Sequence, residues 1–198
     1  MKATGICLIL FLFNAHVFAQ VADTAAIKRQ LAAIYDRDQM TRKSSDSAAF
    51  RQMIDSTNLV QVESLIAKYG WMGKSFIGDM GNYTIWLVIQ HADLAKQEKY
   101  LPMLQESVNH NESRAVDLAY LEDRVLMRRG EKQIYGTQIT LNKTGGQEIW
   151  PIKDEVNVNL RRATIGLEPM EDYAKNFGID YHLPVKQDPA KINETEAK

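Results

Sequence analysis

The sequence predicts a mainly α protein: a single multi-helical domain with a small β-hairpin before its C-terminal helices. Over most of the chain, apolar residues recur at the three- and four-residue spacing of a helix face. Capping side chains precede several of these stretches and glycines follow them, as at helix ends. Between Gln133 and Leu141 the period changes to alternation, which is typical of a strand.

Residues 1–19 have the three parts of a secretory signal peptide. Lys2 gives a positive start, Ile6–Phe13 is an unbroken apolar run, and Val17 and Ala19 are the small residues that signal peptidase recognises. A membrane anchor is the alternative, but this run is shorter than the roughly 20 apolar residues of a span. We therefore expect cleavage after Ala19, export to the periplasm or the cell exterior, and no membrane span in the mature chain.

The composition of the mature chain excludes several classes of protein. Its only cysteine, Cys7, lies in the signal segment, so no disulfide, thiolate nucleophile or cysteine-based metal site remains. Without Lys2, 23 basic residues face 25 acidic ones, and the formal charge of −2 argues against binding to nucleic acid or an anionic membrane. We expect one domain over 20–184 and a disordered polar tail over 185–198.

The first predicted helix begins at a cap formed by Asp23 or Thr24. Its apolar stripe consists of Ile27, Leu31, Ile34 and Tyr35. Its later turns carry charged and polar residues that we expect on a solvated face: Asp36, Arg37, Asp38, Gln39 and Arg42. Ser44–Asp46 ends this helix.

Residues 58–69 form the clearest helix of the sequence. Asn58, with Gln61 three residues later, resembles a capping box, and Gly70 is a left-handed stop. A shorter helical pattern occupies 47–57, and the sequence leaves open whether it continues into this helix.

Ile77–Gln90 is apolar almost all round, which is typical of a central, buried helix. The run Gln90-His91-Ala92-Asp93 then marks its end, and Asp93 can cap the next helix, over about 94–108. Pro102 predicts a kink or a restart in that helix.

A further helix over about 113–129 stops at Gly130, and a β-hairpin is predicted after it. Gln133–Leu141 alternates, Asn142–Gly146 has turn chemistry, and Gln147–Trp150 returns as the partner strand. The face expected in the core carries Tyr135, Thr137, Ile139 and Leu141. The opposite face carries Gly136 and Gln138. The last two helices are predicted over 157–165 and from Pro169 to Gly178.

The succession GW, QHAD, AYLEDR, YGTQ and RR followed by GL, between about residues 36 and 173, resembles a bacterial family of domains of unknown function. Met72 stands where that family usually has proline after Gly-Trp. The resemblance implies one domain and no particular reaction. It points to the following residues as the family pattern: Trp71, Gln90, His91, Asp93, Asp123, Arg124, Tyr135, Gly136, Thr137, Gln138 and Arg162.

His91 is the strongest candidate for chemistry. At the end of an apolar helix, its imidazole can act as a general acid or base near neutral pH, with Asp93 or Asp123 fixing its tautomer. A purely structural histidine, bonded to a helix end and a backbone carbonyl, is the alternative and is favoured on general grounds. No metal or other cofactor is predicted, because His91 and Asp93 give two ligands and a catalytic zinc needs three.

The remaining candidates can bind or position a ligand. Arg124 with Arg161 or Arg162 can clamp a carboxylate or phosphate. The favoured interpretation is an ion pair from Asp123 to one of these arginines that pins the terminal helix to the hairpin. Tyr135 and Gln138 offer hydroxyl and amide groups. Two further residues are named as ligand-binding candidates: Gln90, and Trp71, which is otherwise a core residue.

Two functional hypotheses follow. The first is an exported binding or interaction module for a small polar ligand or a protein partner, with a polar constellation of His91, Asp123, Arg124 and Gln138. The alternative is a hydrolase or lyase in which His91 is the general acid or base and Arg124 and Arg162 hold an anionic substrate.

Overall fold

The computed structural model describes the backbone of residues 5–184 and the side chains of residues 23–184. Within this part of the chain the protein is mainly α-helical, with a two-stranded hairpin before the C-terminal helices, as the sequence predicts. The chain divides into two compact units, Met1–Ser113 and Arg114–Lys198, named here the N-terminal unit and the C-terminal unit. The single domain over 20–184 stays a prediction.

The two ends of the chain carry predictions that the structure does not describe. The side chains of the predicted signal peptide, 1–19, and the predicted disordered tail, 185–198, lie outside the described residues. Among the residues that are described, no helix combines the length and the apolar composition that a membrane crossing requires.

Four helices form the described part of the N-terminal unit: α1 (Gly5–Lys43), α2 (Ala48–Tyr69), α3 (Lys74–His91) and α4 (Leu94–Asn109). Helix α3 packs against the other three and is buried over most of its length, as its apolar sequence predicts. The fully buried aliphatic side chains of this unit include Leu31, Ile34, Val62, Ile85, Ile89 and Leu104.

The predicted helix ends are partly confirmed. Gly70 ends α2 with a φ of 72°, and Asp93 caps α4 by accepting a hydrogen bond from the backbone N–H of Lys96 at 2.9 Å. Helix α1 starts well before the predicted cap at Asp23, and α4 continues through Pro102 without a restart.

The predicted capping box at Asn58 is wrong, because α2 is one continuous helix from Ala48, with Ser47 as its cap. Asn58 is buried inside the helix, where its Oδ1 accepts a hydrogen bond from Arg37 Nε at 2.8 Å. A tertiary contact therefore uses the side chain that looks like a cap in the sequence.

The C-terminal unit contains α5 (Ala115–Arg128), β1 (Ile139–Leu141), β2 (Gln147–Ile149), a short 3-10 helix (Glu155–Asn157), α6 (Val158–Thr164) and α7 (Met170–Lys175). Strands β1 and β2 pair antiparallel, with Ile139 opposite Ile149. A small core consists of Ile152, Val158, Met170 and Tyr173.

The first strand is shorter than the alternation predicts, because residues 133–138 form an irregular loop, named here the 133–138 loop. Gly136 in it has a φ of 74°, which a strand does not accommodate. The predicted faces are also wrong: Gly136 and Gln138 are buried, whereas Leu141 is 67% exposed.

Candidate functional site

A histidine–carboxylate pair lies within the N-terminal unit, where α1 contacts the end of α3. His91, the last residue of α3, has its Nδ1 3.0 Å from Oδ1 of Asp38 on α1. The Asp38 side chain is 1% exposed and the His91 side chain 20%. Because an ionised carboxylate only accepts hydrogen bonds, Nδ1 carries the proton that is shared, and Nε2 has no hydrogen-bond partner among the described residues.

The sequence places Asp38 in this position through the helical period of α1. The buried residues Ile27, Leu31 and Ile34 are followed at the next step of the same stripe by Asp38, with Thr41 after it. The expectation of a solvated face is therefore wrong for Asp38. A carboxylate that continues an apolar stripe is the signal that indicates a buried acid.

Arg42 connects the pair to a second carboxylate. Its Nη2 lies 3.4 Å from Oδ1 of Asp38 and also donates to Oδ1 of Asp55 on α2. Gln39 donates from its amide to Oδ2 of Asp38 at 2.9 Å. Both oxygens of the buried Asp38 are thus bonded, which compensates the cost of removing the charge from water.

The environment of Asp38 keeps this acid ionised. Burial on its own would raise the pKa of the Asp38 carboxyl, but the hydrogen bond from His91 and the attraction to His91 and Arg42 outweigh it. The pKa of Asp38 therefore lies below its usual value. An ionised Asp38 fixes one tautomer of the His91 ring.

A pocket of about 390 Å³, named here the His91 pocket, opens beside this pair. Its lining includes basic, acidic and small polar side chains: Arg42, Arg51, Gln52, Asp55, Ser56, His91 and Asp93. Arg51 donates to the backbone carbonyl of Asp46 at 2.6 Å and forms no ion pair with a described carboxylate. The pocket therefore combines a positioned imidazole with a guanidinium that an anion can reach.

The same residues include a possible set of metal ligands. Asp38, Asp55 and His91 each offer one ligand atom, and these atoms lie within 4.8 Å of one another. Carboxylate and imidazole ligands suit zinc and similar divalent cations. However, Arg42 contacts both carboxylates and supplies the positive charge between them. The arrangement is therefore complete as an ion-pair network.

The acids that the sequence assigns to His91 have other contacts. Asp93 lines the His91 pocket and caps α4 through Lys96. Asp123, on α5 of the C-terminal unit, is completely buried. It accepts hydrogen bonds of 2.7–3.1 Å from the backbone N–H groups of the 133–138 loop at Ile134, Tyr135 and Thr137, and from the Thr137 hydroxyl. The carboxylate of Asp123 thereby replaces the strand partner that these amides lack.

Arg162 holds the same loop from α6. It is fully buried and donates to the backbone carbonyls of Glu168 at 2.6 Å and Tyr135 at 2.7 Å. Its guanidinium lies 4.8 Å from the ring centre of Tyr173. The predicted ion pair between Asp123 and an arginine is absent from the described contacts of Asp123. Asp123 and Arg162 instead pin the loop separately, through backbone groups.

Burial dominates the pKa shifts around the 133–138 loop. It lowers the pKa of Arg162 and of Arg124, and a neighbouring Arg128 lowers that of Arg124 further. Burial raises the pKa of Glu122, with a contribution from the charge of Asp123. It also raises the pKa of the Tyr135 phenol.

The other predicted ligand-binding residues have structural contacts. Gln138 is buried and donates to the Thr137 hydroxyl at 2.9 Å. Gln90 is buried, and its backbone carbonyl accepts a hydrogen bond from the side-chain amide of Gln97 at 2.7 Å. Trp71 is only partly buried and lines a separate pocket of the N-terminal unit.

The predicted constellation draws on both units. His91 belongs to the N-terminal unit, and Asp123, Arg124 and Gln138 belong to the C-terminal unit. Their convergence stays a prediction. The geometry within the N-terminal unit adds Asp38, Arg42 and Asp55 to His91, three residues that the sequence does not single out.

Comparison with known proteins gives a family and no activity. The model of DUF6624, a family of unknown function, matches residues 15–186. No curated protein and no solved structure matches the chain. The matched span contains every candidate residue described above, so the resemblance seen in the sequence is confirmed at the level of the family.

Proposed function

This chain belongs to the family of unknown function DUF6624, and membership assigns no activity. From residue chemistry, we propose that its N-terminal unit binds a small anionic molecule in the His91 pocket. The observation that carries this proposal is the buried Asp38–His91 pair at the edge of an open, polar pocket. Burying a carboxylate costs free energy, and the buried Asp38 carboxylate orients an imidazole that faces the pocket.

The lining contains two arginines and two aspartates, and the residue that favours an anion is Arg51, because Asp55 is paired with Arg42 and Asp93 caps α4. Arg51 has no carboxylate partner among the described residues, and Arg42 lies beside it in the lining. A guanidinium can bind a carboxylate or a phosphate through two parallel hydrogen bonds. His91 Nε2 can then contact a second polar group of the same ligand. Arg51 is thus the anion-binding residue of this proposal, and the anion-binding role of Arg124 and Arg162 stays a prediction.

A second candidate function is proton transfer by His91 in a hydrolase or lyase. The Asp38 carboxylate on Nδ1 favours it, because this bond orients the ring and leaves Nε2 for the substrate. In this function His91 Nε2 accepts a proton from water or substrate and returns it to the leaving group. Asp38 acts only through His91 and is a positioning residue.

The first experiment is thermal unfolding and calorimetry of the purified chain with small carboxylates, phosphate esters, sugars and amines. A ligand at 100 times its dissociation constant stabilises the bound state by about 2.7 kcal/mol, which raises the melting temperature by a few degrees. We expect an anion to give this shift. Arg51→Ala removes the shift, and Arg29→Ala on the exposed surface of α1 is the matched control.

A chelator and added zinc or magnesium are included in the same series. An unchanged melting temperature under both conditions supports the ion-pair interpretation of Asp38, Asp55 and Arg42. A metal-dependent rise that Asp55→Asn abolishes contradicts it. If no small anion shifts the melting temperature, the His91 pocket is not a site for small anions and a protein partner becomes the better hypothesis.

Ligand binding and catalysis are separated at His91. In an enzyme, His91→Gln retains binding and loses turnover, and Asp38→Asn moves the pH profile of turnover. In a binding module, His91→Gln weakens binding and no turnover of the identified ligand is seen. His182→Gln is the control, since His182 is 82% exposed and lies in the other unit.

We also propose that the chain is exported, on the pattern of residues 1–19. Mass spectrometry of the protein recovered from its natural host gives the test. We expect an N-terminus at Gln20 in the periplasmic or extracellular fraction. Recovery of the intact chain, with Met1 or Lys2 at its start, from the cytoplasmic fraction contradicts the proposal.

A further inference from the structure

We propose that a second pocket of the N-terminal unit binds an organic cation that has an apolar body, such as a quaternary or primary amine attached to a ring or short alkyl chain. This pocket, named here the Trp71 pocket, has a volume of about 490 Å³. That volume is within the range of small-molecule sites. Its lining consists of Trp71, Gly73, Pro102, Met103, Glu106, Ser107, His110 and Glu112.

The apolar wall of the pocket comes from Trp71 together with Pro102 and Met103 of α4. The rigid indole of Trp71 loses little side-chain entropy when it packs against an apolar ligand. The flexible thioether of Met103 adapts its packing to the shape of the ligand. The face of an indole is also the best aromatic surface for a cation. The wall therefore fits a ligand in which an apolar part and a positive charge are adjacent.

The Trp71 ring is held in place by a buried pair of hydroxyls. Its Nε1 donates to Ser113 Oγ at 3.1 Å, and Ser113 Oγ lies 2.7 Å from Ser107 Oγ. Ser107 and Ser113 are 8% and 6% exposed, so these hydrogen bonds are protected from water. The indole N–H is used internally, and its ring lines a pocket that is already formed.

The rim of the pocket is acidic. Glu112 Oε2 accepts a hydrogen bond from the Ser75 N–H at 2.9 Å, and this bond lowers the pKa of the Glu112 carboxyl. Gly73 provides the space for this carboxylate, since a Cβ there would lie 2.6 Å from Glu112 Cβ. Glu106 adds a second carboxylate, which is largely exposed and 3.5 Å from Nδ1 of His110.

The charges around the Trp71 pocket select the sign of the ligand. Two carboxylates line it, and His110 is its only basic lining residue among those described. Lys74 lies close enough to Glu112 to attract it and does not line the pocket. An anionic ligand would meet both carboxylates, whereas an ammonium group gains their attraction and the Trp71 face.

Isothermal titration calorimetry of the full chain at low salt tests the proposal with three probes that share a benzyl or phenyl body. These are benzyltrimethylammonium, benzyl alcohol and benzoate. The probes are also titrated into Arg51→Ala, which lacks the anion-binding group proposed for the His91 pocket. In that chain we expect benzyltrimethylammonium to bind most tightly and benzoate least tightly. The affinity for the cation falls as salt is added, because exposed carboxylates are screened.

Substitutions at two positions locate the site. Glu106→Gln weakens binding of benzyltrimethylammonium by about fivefold or less, and Glu106→Lys weakens it more. Trp71→Phe weakens it by roughly two- to fivefold, because phenylalanine offers a weaker aromatic face. Glu148→Lys is the matched charge reversal, since Glu148 is exposed on β2 of the other unit.

Glu106 is largely exposed and makes its described contacts only with His110, so its variants test the proposal without depending on the stability of the core. The proposal is overturned if benzoate binds as tightly as the cation to the chain that carries Arg51→Ala. It is also overturned if Glu106→Lys and Trp71→Phe bind the cation like the parent protein, or if no probe gives heat at millimolar concentration. Benzoate binding that Arg51→Ala abolishes and Glu106→Lys leaves unchanged belongs to the His91 pocket, whose lining residues are different.

Discussion

The two units of the protein each contain a buried aspartate, and the two carboxylates are used differently. In the C-terminal unit, Asp123 accepts hydrogen bonds from backbone amides of the 133–138 loop and from one hydroxyl. In the N-terminal unit, Asp38 bonds to three side chains, of which His91 is titratable and borders a pocket. Both residues are almost inaccessible to water.

The difference separates a structural acid from a candidate functional one. The bonds of Asp123 come from backbone amides and one hydroxyl, which do not titrate near neutral pH, and these bonds fix the loop. When an ionised carboxylate orients a histidine, one ring nitrogen is hydrogen-bonded to the carboxylate and the other can bind a ligand. The sequence points to Asp123 as a site residue, which stays a prediction, and the geometry of the N-terminal unit adds Asp38 as the carboxylate bonded to His91.

Removal of the Asp123 charge is expected to have the largest effect on stability. In Asp123→Asn, the side-chain NH₂ group replaces one carboxylate oxygen and cannot accept hydrogen bonds from the buried N–H groups of the 133–138 loop. The charge-assisted hydrogen bonds are lost. The free energy of unfolding of the C-terminal unit should fall by about 3–5 kcal/mol. Urea denaturation measures the loss, and hydrogen exchange at Ile134, Tyr135 and Thr137 localises it. Asp180→Asn, at an exposed carboxylate, is the control. A loss below about 1 kcal/mol would show that other contacts hold the loop.

The second largest effect is expected from Gly136→Ala in the same loop. Gly136 has a φ of 74°, and a Cβ there would lie 2.5 Å from Met170 Sδ and 2.9 Å from Ile152 Cδ1. Strain and overpacking together should cost about 2–4 kcal/mol. Gly145→Ala separates the two causes, because Gly145 has a similar φ of 83° and nothing within 4 Å of its Cβ position. Equal losses of stability in the two variants would mean that the close approach of Met170 and Ile152 to Gly136 does not contribute.

A smaller loss of stability is expected from His91→Ala. It leaves the buried Asp38 without one of its donors, which should lower the free energy of unfolding by about 1–3 kcal/mol. Combined with Asp38→Asn in a double-mutant cycle, the losses should not add, because the two side chains contact each other. Chemical denaturation gives all four values. Additive losses would mean that the pair is not coupled, and would weaken the case for an oriented imidazole.

The helices could be predicted from the sequence because their signals are local. The apolar character of α3, the cap at Asp93 and the stop at Gly70 depend on residues a few positions apart. Asn58 shows the limit of such signals, since its side chain bonds to Arg37 of another helix. The alternation over 133–141 failed for the same reason, because Asp123 supplies hydrogen bonds that a partner strand would otherwise supply.

The candidate site was harder to predict, because it depends on contacts between residues that are distant in sequence. Asp38 and His91 are 53 residues apart, and the charged run around Asp38 is typical of a solvated helix face. The position of Asp38 on the stripe of Leu31 and Ile34 was the available signal. No sequence pattern indicates that Arg51 lacks a carboxylate partner among the described residues, or that a pocket opens beside His91.

The smallest expected effect is the change in the stability contribution of Asp38 with pH. The pKa of Asp38 is lowered in the folded protein, so its contribution to stability is fully present above the unfolded value of about 3.8 and is lost as the pH falls through the folded value. The stability difference between the parent chain and Asp38→Asn should therefore be constant near neutral pH and narrow in acid. Denaturation of both proteins between about pH 7 and pH 2 measures it. A stability difference that stays constant in acid would mean that His91 and Arg42 do not stabilise the ionised form of Asp38. A narrowing difference would show that the orienting carboxylate stays ionised across the range in which a histidine titrates, as the proposed function of His91 requires.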